Sequence, residues 1–212
     1  VPPVDDQIKM IVAGVNDHML TPEDCIISNA SCTTNNAAPM LKLIHDAFQI
    51  EQAYITTVHS YTTDQSLHDQ PHKDLRRARA AGQSIVPTTT GAAKALTKLF
   101  PDLNNVIGGC GIRVPVANGS LCDITLNVKK KASIQKVNTL FEKAANGSLK
   151  GILQYTQDPI VSIDIVGNTH SCVLDSEMTS VIGKMIKIIG WYDNETGYSS
   201  RIIDLMRKMS RK

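Results

Sequence analysis

The apolar residues of this chain keep two different spacings, and each change from one to the other marks a new element. A spacing of three to four residues runs through Met40, Leu41, Ile44 and Phe48. It predicts a helix with one apolar stripe, capped by Ser31 and carrying Cys32, Thr33 and Thr34 in its first turn. Tyr54, Ile55, Thr56, Thr57 and Val58 form an aromatic and β-branched run, so residues 53–60 read as a strand. Helical spacing returns over residues 91–100, with Leu96, Leu99 and Phe100 to one side and Pro101 as the stop. Residues 121–128 alternate strictly: Cys122, Ile124, Leu126 and Val128 share one face of a strand, and Asp123, Thr125 and Asn127 share the other. Ser133 opens a further helix with Ile134, Val137, Leu140 and Phe141 at helical spacing. Val161, Ile163 and Ile165 alternate with Ser162 and Asp164 as a second half-polar strand, and residues 181–192 form a long apolar strand bent around Gly190. The chain closes on an amphipathic helix with Ile202, Leu205, Met206 and Met209 on one face.

Half-polar strands interspersed with helices predict an α+β fold, a mostly antiparallel or mixed sheet with helices packed on one face. No repeat or Gly/Ser-rich linker divides the sequence, so residues 1–212 read as one domain. A dinucleotide-binding half would need regular strand–helix alternation and a Gly-x-Gly-x-x-Gly turn. Gly108-Gly109-Cys110-Gly111 is glycine-rich but runs into Arg113-Val114-Pro115, which reads as strand. The 212 residues include 42% hydrophobic and 20% charged side chains, an ordinary globular composition. A formal net charge of +2 argues against bulk nucleic acid or an anionic membrane as partner. No apolar run approaches a membrane span, and Val1-Pro2-Pro3-Val4-Asp5-Asp6 is no signal peptide. Five cysteines without a C-x-x-C pair fit a reducing, cytoplasmic setting with free thiols.

One of those thiols stands out. Cys32 at a helix N-terminus would face unpaired backbone N–H groups and the positive dipole end, both of which favour thiolate. His59, 27 positions later, could complete a thiolate–imidazolium pair. The same cysteine could instead be a buried structural thiol, and spacing alone leaves both readings open. Thr90-Gly91 precedes a helix whose free N–H groups suit an anion, although Thr90 could be only an N-cap. Arg113 could fork onto phosphate oxygens or form an ordinary salt bridge. Lys73, Arg76, Arg77 and Arg79 lack interleaved aromatics, so they read as a solvated or interface loop and not as a nucleic-acid patch. His68 and His72 have zinc-like spacing, but Pro71 between them disfavours the helix and no third ligand is evident, so no metal is expected.

The string Ser28-Asn29-Ala30-Ser31-Cys32-Thr33-Thr34-Asn35 resembles the active-site signature of the phosphorylating glyceraldehyde-3-phosphate dehydrogenase family. Thr57-Val58-His59-Ser60-Tyr61-Thr62-Thr63-Asp64-Gln65 resembles its catalytic-histidine strand. Asp74-Leu75-Arg76-Arg77-Ala78-Arg79-Ala80-Ala81, Thr88-Thr89-Thr90-Gly91-Ala92-Ala93-Lys94, Arg113-Val114-Pro115 and Trp191-Tyr192-Asp193-Asn194-Glu195 follow in the family's order. The likeness covers the family's catalytic domain; the N-terminal NAD-binding domain has no counterpart here, and residues 195–212 would form the helix that docks on it.

The resemblance implies a role for each residue. Cys32 would be the nucleophile and His59 the acid–base partner. Thr62, Asp64 and Arg113 would surround the substrate phosphate, with Asp64 orienting its neighbours. Ser31, Thr33, Thr90 and Gly91 would surround the attacking inorganic phosphate, and Arg79 would help bind phosphate. Asn194 would hydrogen-bond the nicotinamide carboxamide of NAD, with Tyr198 near the ring. Gln70-Pro71 lies where the family separates NAD from NADP, and its proline resembles the NAD-preferring members, although Gln70 replaces a usual leucine. Asn36 and Thr196 stand where a second cysteine and a tryptophan are frequent. The implied partners are glyceraldehyde 3-phosphate, inorganic phosphate and three further copies in a homotetramer. Two alternatives accompany this reading: a dehydrogenase of erythrose 4-phosphate, and a non-catalytic assembly module.

Overall fold

The computed structural model describes residues 8–210; the opening Val1-Pro2-Pro3-Val4-Asp5-Asp6 and the last two positions of the expected closing helix lie outside them. Among the described residues, nine strands and four α-helices follow in order: β1 (Lys9–Met10), β2 (Ile27–Ser28), α1 (Cys32–Phe48), β3 (Ile50–Ser60), β4 (Val86–Thr88), α2 (Ala92–Leu99), β5 (Ile107–Val114), β6 (Ser120–Val128), α3 (Ile134–Asn146), β7 (Leu153–Thr156), β8 (Cys172–Ile182), β9 (Met185–Tyr192) and α4 (Thr196–Ser210). Seven of the strands build one mixed sheet in the order β4-β5-β3-β6-β9-β8-β7. The β3–β5 and β7–β8 pairs are parallel and the remaining pairs antiparallel, so the expected α+β class holds.

The alternation read in residues 121–128 decides which face is covered. Cys122, Ile124, Leu126 and Val128 are buried, while Asp123, Thr125 and Asn127 point to the other, wetter face. On the covered face, α1 packs on β6, β9 and β8, α2 on β5, and α3 on β7 and β8. Met40, Leu41 and Ile44 of α1 and Val137 and Phe141 of α3 are wholly buried in this core. The opposite face carries polar pairs such as Lys187 with Asp123, and half-exposed Tyr54.

β1 and β2 stand apart as a two-stranded parallel sheet. Ile11, Leu20 and Leu205 form a small second apolar cluster that ties this pair to α4. The buried line of α4 is Gly197, Arg201 and Leu205; of the Ile202/Leu205/Met206/Met209 face only Leu205 is buried, and Ile202 and Met206 are exposed. Gly197 belongs to that line because a Cβ there would come within 2.7 Å of the His170 carbonyl oxygen.

Two strand expectations fail for local reasons. Residues Ser162–Ile165 form a 3-10 turn, closed by Asp164 N–H on the Val161 carbonyl and by Val161 N–H on the Asp164 carboxylate. Val161 and Ile163 are exposed and only Ile165 is buried, so no surface existed for an alternating strand to cover. The long apolar stretch 181–192 is split between β8 and β9, and the chain reverses at Gly183, whose φ of +62° is left-handed. Gly190 lies inside β9, where a Cβ would meet Met40 Sδ at 2.7 Å and Cys172 Sγ at 2.9 Å. Close packing, not bending, requires that glycine. Among the described residues no helix is long and apolar enough to cross a membrane.

Candidate active site

β2 leads into α1 through Ala30, a non-glycine residue with φ +55° whose N–H is held by Ser28 Oγ at 3.1 Å. That turn aims the N-terminus of α1 at the end of β3. Ser31 caps the helix, its Oγ accepting from Thr34 N–H at 3.1 Å. Asn35 donates back to the carbonyls of Asn29 (2.7 Å) and Ser31 (3.0 Å), which pins the loop. Cys32 is therefore the first residue of a well-anchored helix, and its Sγ lies 3.5 Å from His59 Nε2.

The parallel register of β3 and β5 sets His59 beside Arg113. His59 Nδ1 lies 2.7 Å from the Ser60 carbonyl, to which Arg113 Nη1 also donates at 3.0 Å, and the guanidinium touches the imidazole as well. Burial first, and then the nearby Arg113 cation, lower the His59 pKa to about 4. Burial pushes the Cys32 thiol up; the Thr33 hydroxyl and amide, the Arg113 charge and the Cys32 backbone amide pull the other way and lose. Burial thus favours thiol over thiolate at Cys32 and neutral over charged imidazole at His59, and it opposes the pull of the helix N-terminus toward thiolate.

A cavity of about 220 Å³ opens beside the sulfur, with Cys32, His59, Arg113 and Arg77 around it. Ser31, Thr33, Thr90 and Gly91 also line it, so seven sequence-derived candidates converge on one space. The glycine-rich stretch of β5 brings the far wall in: a Cβ on Gly109 would sit 3.5 Å from Ala93 Cβ of α2 and 2.7 Å from the Ile55 carbonyl oxygen. Thr90 Oγ1 accepts from Ala92 N–H, the first amide of α2, at 3.2 Å as well as lining the cavity.

Thr62, Asp64 and Arg79 are not among the lining residues. Thr62 N–H bonds Gln65 Oε1 at 3.2 Å, and Arg79 pairs with Asp69 at 3.1 Å on the exposed side of the loop. Asp64 holds Arg77, whose Nη2 and Nε also donate to Thr88 Oγ1 at 2.8 and 3.0 Å. The cation delivered to the cavity by that loop is thus Arg77 and not Arg79. The sequence shows three arginines within four positions, and only the loop's path decides which one turns inward.

Asn194 and Tyr198 lie on the α4 side. Asn194 Oδ1 contacts the hydroxyls of Ser60 and Ser120, each at 2.9 Å, which orients the amide. Tyr198 approaches the Ala30 carbonyl at 3.5 Å, and its own carbonyl accepts from Asn29 Nδ2 at 3.3 Å. Buried Asp193 fixes the same corner, accepting from Glu195 and Thr196 N–H at the start of α4 and from Gly167 N–H. Burial would raise its carboxyl pKa, but those backbone amides outweigh burial and hold it below the usual range. Asp193→Ala is expected to cost about 1–3 kcal/mol of stability, measured by urea unfolding, by stranding three amides. Loss of under ~0.5 kcal/mol would contradict this role.

Tyr192 escaped the sequence reading. It is fully buried, its hydroxyl lies 2.9 Å from both Thr33 Oγ1 and Thr57 Oγ1, and its ring stands edge-on to His59 at 5.9 Å. A tyrosine inside an apolar strand looks like core; only the position of its hydroxyl distinguishes it. His68 and His72 sit in the loop after β3, and among the described residues no group of three or more His, Cys, Asp or Glu is placed to hold a metal ion.

A thiol at a helix N-terminus, an imidazole in contact with it and a cationic, hydroxyl-lined cavity on an α+β scaffold together make a site suited to thiol-based acyl chemistry on an anionic substrate. Residues 31–194 match the profile described as glyceraldehyde 3-phosphate dehydrogenase, C-terminal domain, and the chain belongs to that family. Similar proteins include glyceraldehyde-3-phosphate dehydrogenase of Borreliella burgdorferi, 51% identical over 98% of this chain, and glyceraldehyde-3-phosphate dehydrogenase 1 of Streptomyces avermitilis, 50% identical over 96%. That of Mycobacterium avium is 51% identical over 96%. The chain spans only about three-fifths of these relatives: 63%, 61% and 60% of their lengths.

Proposed function

We propose that this chain is the catalytic part of an NAD-dependent phosphorylating glyceraldehyde-3-phosphate dehydrogenase. The observation that carries the reading is the contact of Cys32 Sγ with His59 Nε2 at the mouth of a cavity that also holds Arg77 and Arg113. Cys32 gives its proton to His59 and attacks the aldehyde carbon, forming a C–S bond. His59 returns that proton to the oxyanion and then takes the resulting hydroxyl proton as the carbon is oxidised to a thioester, its hydride leaving to the acceptor that a bound nicotinamide would supply. Inorganic phosphate attacks the thioester carbonyl, the C–S bond breaks, and an acyl phosphate leaves with Cys32 restored. Arg77 and Arg113 offer charge-assisted donors to phosphate oxygens, with Ser31, Thr33, Thr90 and Gly91 completing the cradle. Thr62 and Asp64 act from the loop behind it, Asp64 by holding Arg77, and Arg79 stays a peripheral member of the set.

The residues present fit the nicotinamide end of NAD. Asn194, oriented by two serine hydroxyls, leaves one amide end to meet a carboxamide, with Tyr198 on the same side. Bound there, the nicotinamide would supply the hydride acceptor. The part of the relatives that this chain does not match would carry the rest of the nucleotide site, and exposed Ile202 and Met206 of α4 would dock against it. Calorimetry of this chain with NAD is accordingly expected to show no tight binding, and a tight complex would count against that division of labour. Free cysteines throughout and the half-bare sheet face fit a cytoplasmic homotetramer.

The acyl half of the reaction needs no nicotinamide, so the chain itself can be tested. Acetyl phosphate is expected to acetylate Cys32, read by peptide-resolved mass spectrometry, and added inorganic phosphate should discharge the adduct. Arg113→Ala should slow acetylation about 10²-fold through lost stabilisation of the phosphate. Acetylation confined to Cys25 and Cys110 would sink the proposal. The relatives named above and the Thr90–Lys94 segment favour glyceraldehyde 3-phosphate over erythrose 4-phosphate as substrate.

A further inference from the structure

Arg77 belongs to the loop between β3 and β4, and its guanidinium is gripped from two sides at the edge of the cavity. Thr88, at the end of β4, accepts on its Oγ1 from Arg77 Nη2 at 2.8 Å and from Nε at 3.0 Å. One guanidinium thus takes both acceptor pairs of that hydroxyl. Asp64 takes a hydrogen of Nη1, and the Asp74 carboxylate lies 3.5 Å from Nε. A guanidinium carries five N–H donors. Thr88 engages the one on Nε and one on Nη2, and Asp64 engages one on Nη1, which leaves a single N–H on each terminal nitrogen. Thr88 has room for this contact because its strand partner is Gly111, where a Cβ would come within 3.2 Å of Thr88 Cγ2.

We propose that Thr88 is a positioning residue for the oxyanion site: with Asp64 it locks the Arg77 guanidinium, so that the two remaining N–H groups form a fixed fork for the oxygens of a phosphate in the cavity. This role rests on the phosphate-handling thiol chemistry argued above, and it adds the residue that orients one of its donors. Asp64 and Asp74 beside Arg77 offset much of the field of its charge. Its value to an anion therefore lies in directed hydrogen bonds, which count only when the direction is held before the anion arrives. Arg113 differs, because it touches His59 and donates to the Ser60 carbonyl, so changing it disturbs the proton acceptor as well as the anion. The side-chain hydrogen bonds of Arg77 run to Thr88 and Asp64 and not to Cys32 or His59. Loosening Arg77 weakens anion binding and leaves the thiol alone.

That separation supplies the test. Acetyl phosphate brings a phosphate to Cys32, whereas iodoacetamide is a neutral electrophile that needs no anion site; both reactions are read on the Cys32 peptide. Thr88→Val keeps the β-branched shape and removes the acceptor. It should raise the acetyl phosphate concentration that half-saturates acetylation roughly tenfold, and leave the iodoacetamide rate within about twofold of the parent. Thr88→Ser, which retains the hydroxyl, should return half-saturation to the parent value. Arg77→Met should raise it at least as much as Thr88→Val does. Thr88→Val added to Arg77→Met should raise it no further, since the hydroxyl then has no guanidinium to hold. An unchanged half-saturation in Thr88→Val would overturn the proposal, as would full additivity with Arg77→Met. Equal slowing of acetylation and of iodoacetamide alkylation would also overturn it, because that marks a general loss of structure. The wider reading fails differently, with a parent chain whose Cys32 reacts with iodoacetamide and never with acetyl phosphate. A parent that acetylates with saturation, beside a Thr88→Val that behaves identically, sinks the positioning role alone.

Discussion

Cys32→Ser is expected to abolish acetylation by acetyl phosphate, with the rate at position 32 falling by at least about 10⁴-fold. The substitution exchanges sulfur for oxygen at the first residue of α1 and leaves the Ser31 cap in place, so thermal unfolding should move little. The difference is chemical. A thiol that burial has pushed up still ionises far more readily than an alcohol in the same place, and His59 with a depressed pKa is too weak a base to activate a hydroxyl. Acylation that persists in Cys32→Ser, on the serine or on Cys110, would refute the assignment.

His59→Gln is the second change with a large expected effect. Losing the proton acceptor should slow acetylation about 10²–10⁴-fold, with little recovery at high pH beyond what spontaneous ionisation of Cys32 provides. The same variant should also change how stability depends on acid. His59 is 5% exposed and titrates near pH 4 when folded, against an ordinary value of 6.5. Between those values the unfolded chain binds a proton that the folded chain refuses, so stability falls as pH drops from 6.5 toward 4. The full contribution is present above pH 6.5, and the shift corresponds to about 3 kcal/mol lost by pH 4. Glutamine does not titrate, so urea unfolding of His59→Gln should lose less stability across that window than the parent. Parallel curves would mean that His59 accepts its proton in the folded state and that Arg113 does not oppose it.

These two residues also show how far the sequence reaches. The helix with Cys32 at its start, the β-branched strand ending at His59, and the alternation of residues 121–128 all follow from local spacing and capping, and the structure reproduces each. Local pattern failed where partners decide. The alternation of Val161, Ile163 and Ile165 met no surface to cover, and the apolar stretch 181–192 was divided between two strands by the reversal at Gly183.

By itself, then, the sequence determined the class of fold, the identity of the thiol and imidazole, and most of the hydroxyls around them, because those depend on short-range backbone preferences and ordered motifs. Only the tertiary structure decided what joins them. The parallel register of β3 with β5 sets Arg113 against His59, the path of the loop turns Arg77 inward and leaves Arg79 outside, and the packing of β9 carries the Tyr192 hydroxyl to Thr33. Each depends on residues far apart in the chain meeting within about 3 Å, a distance that composition and period do not encode. The same packing bears on the charge of the pair. A helix N-terminus favours thiolate on local grounds, but the depth at which the folded chain buries Cys32 and His59 makes desolvation the stronger force.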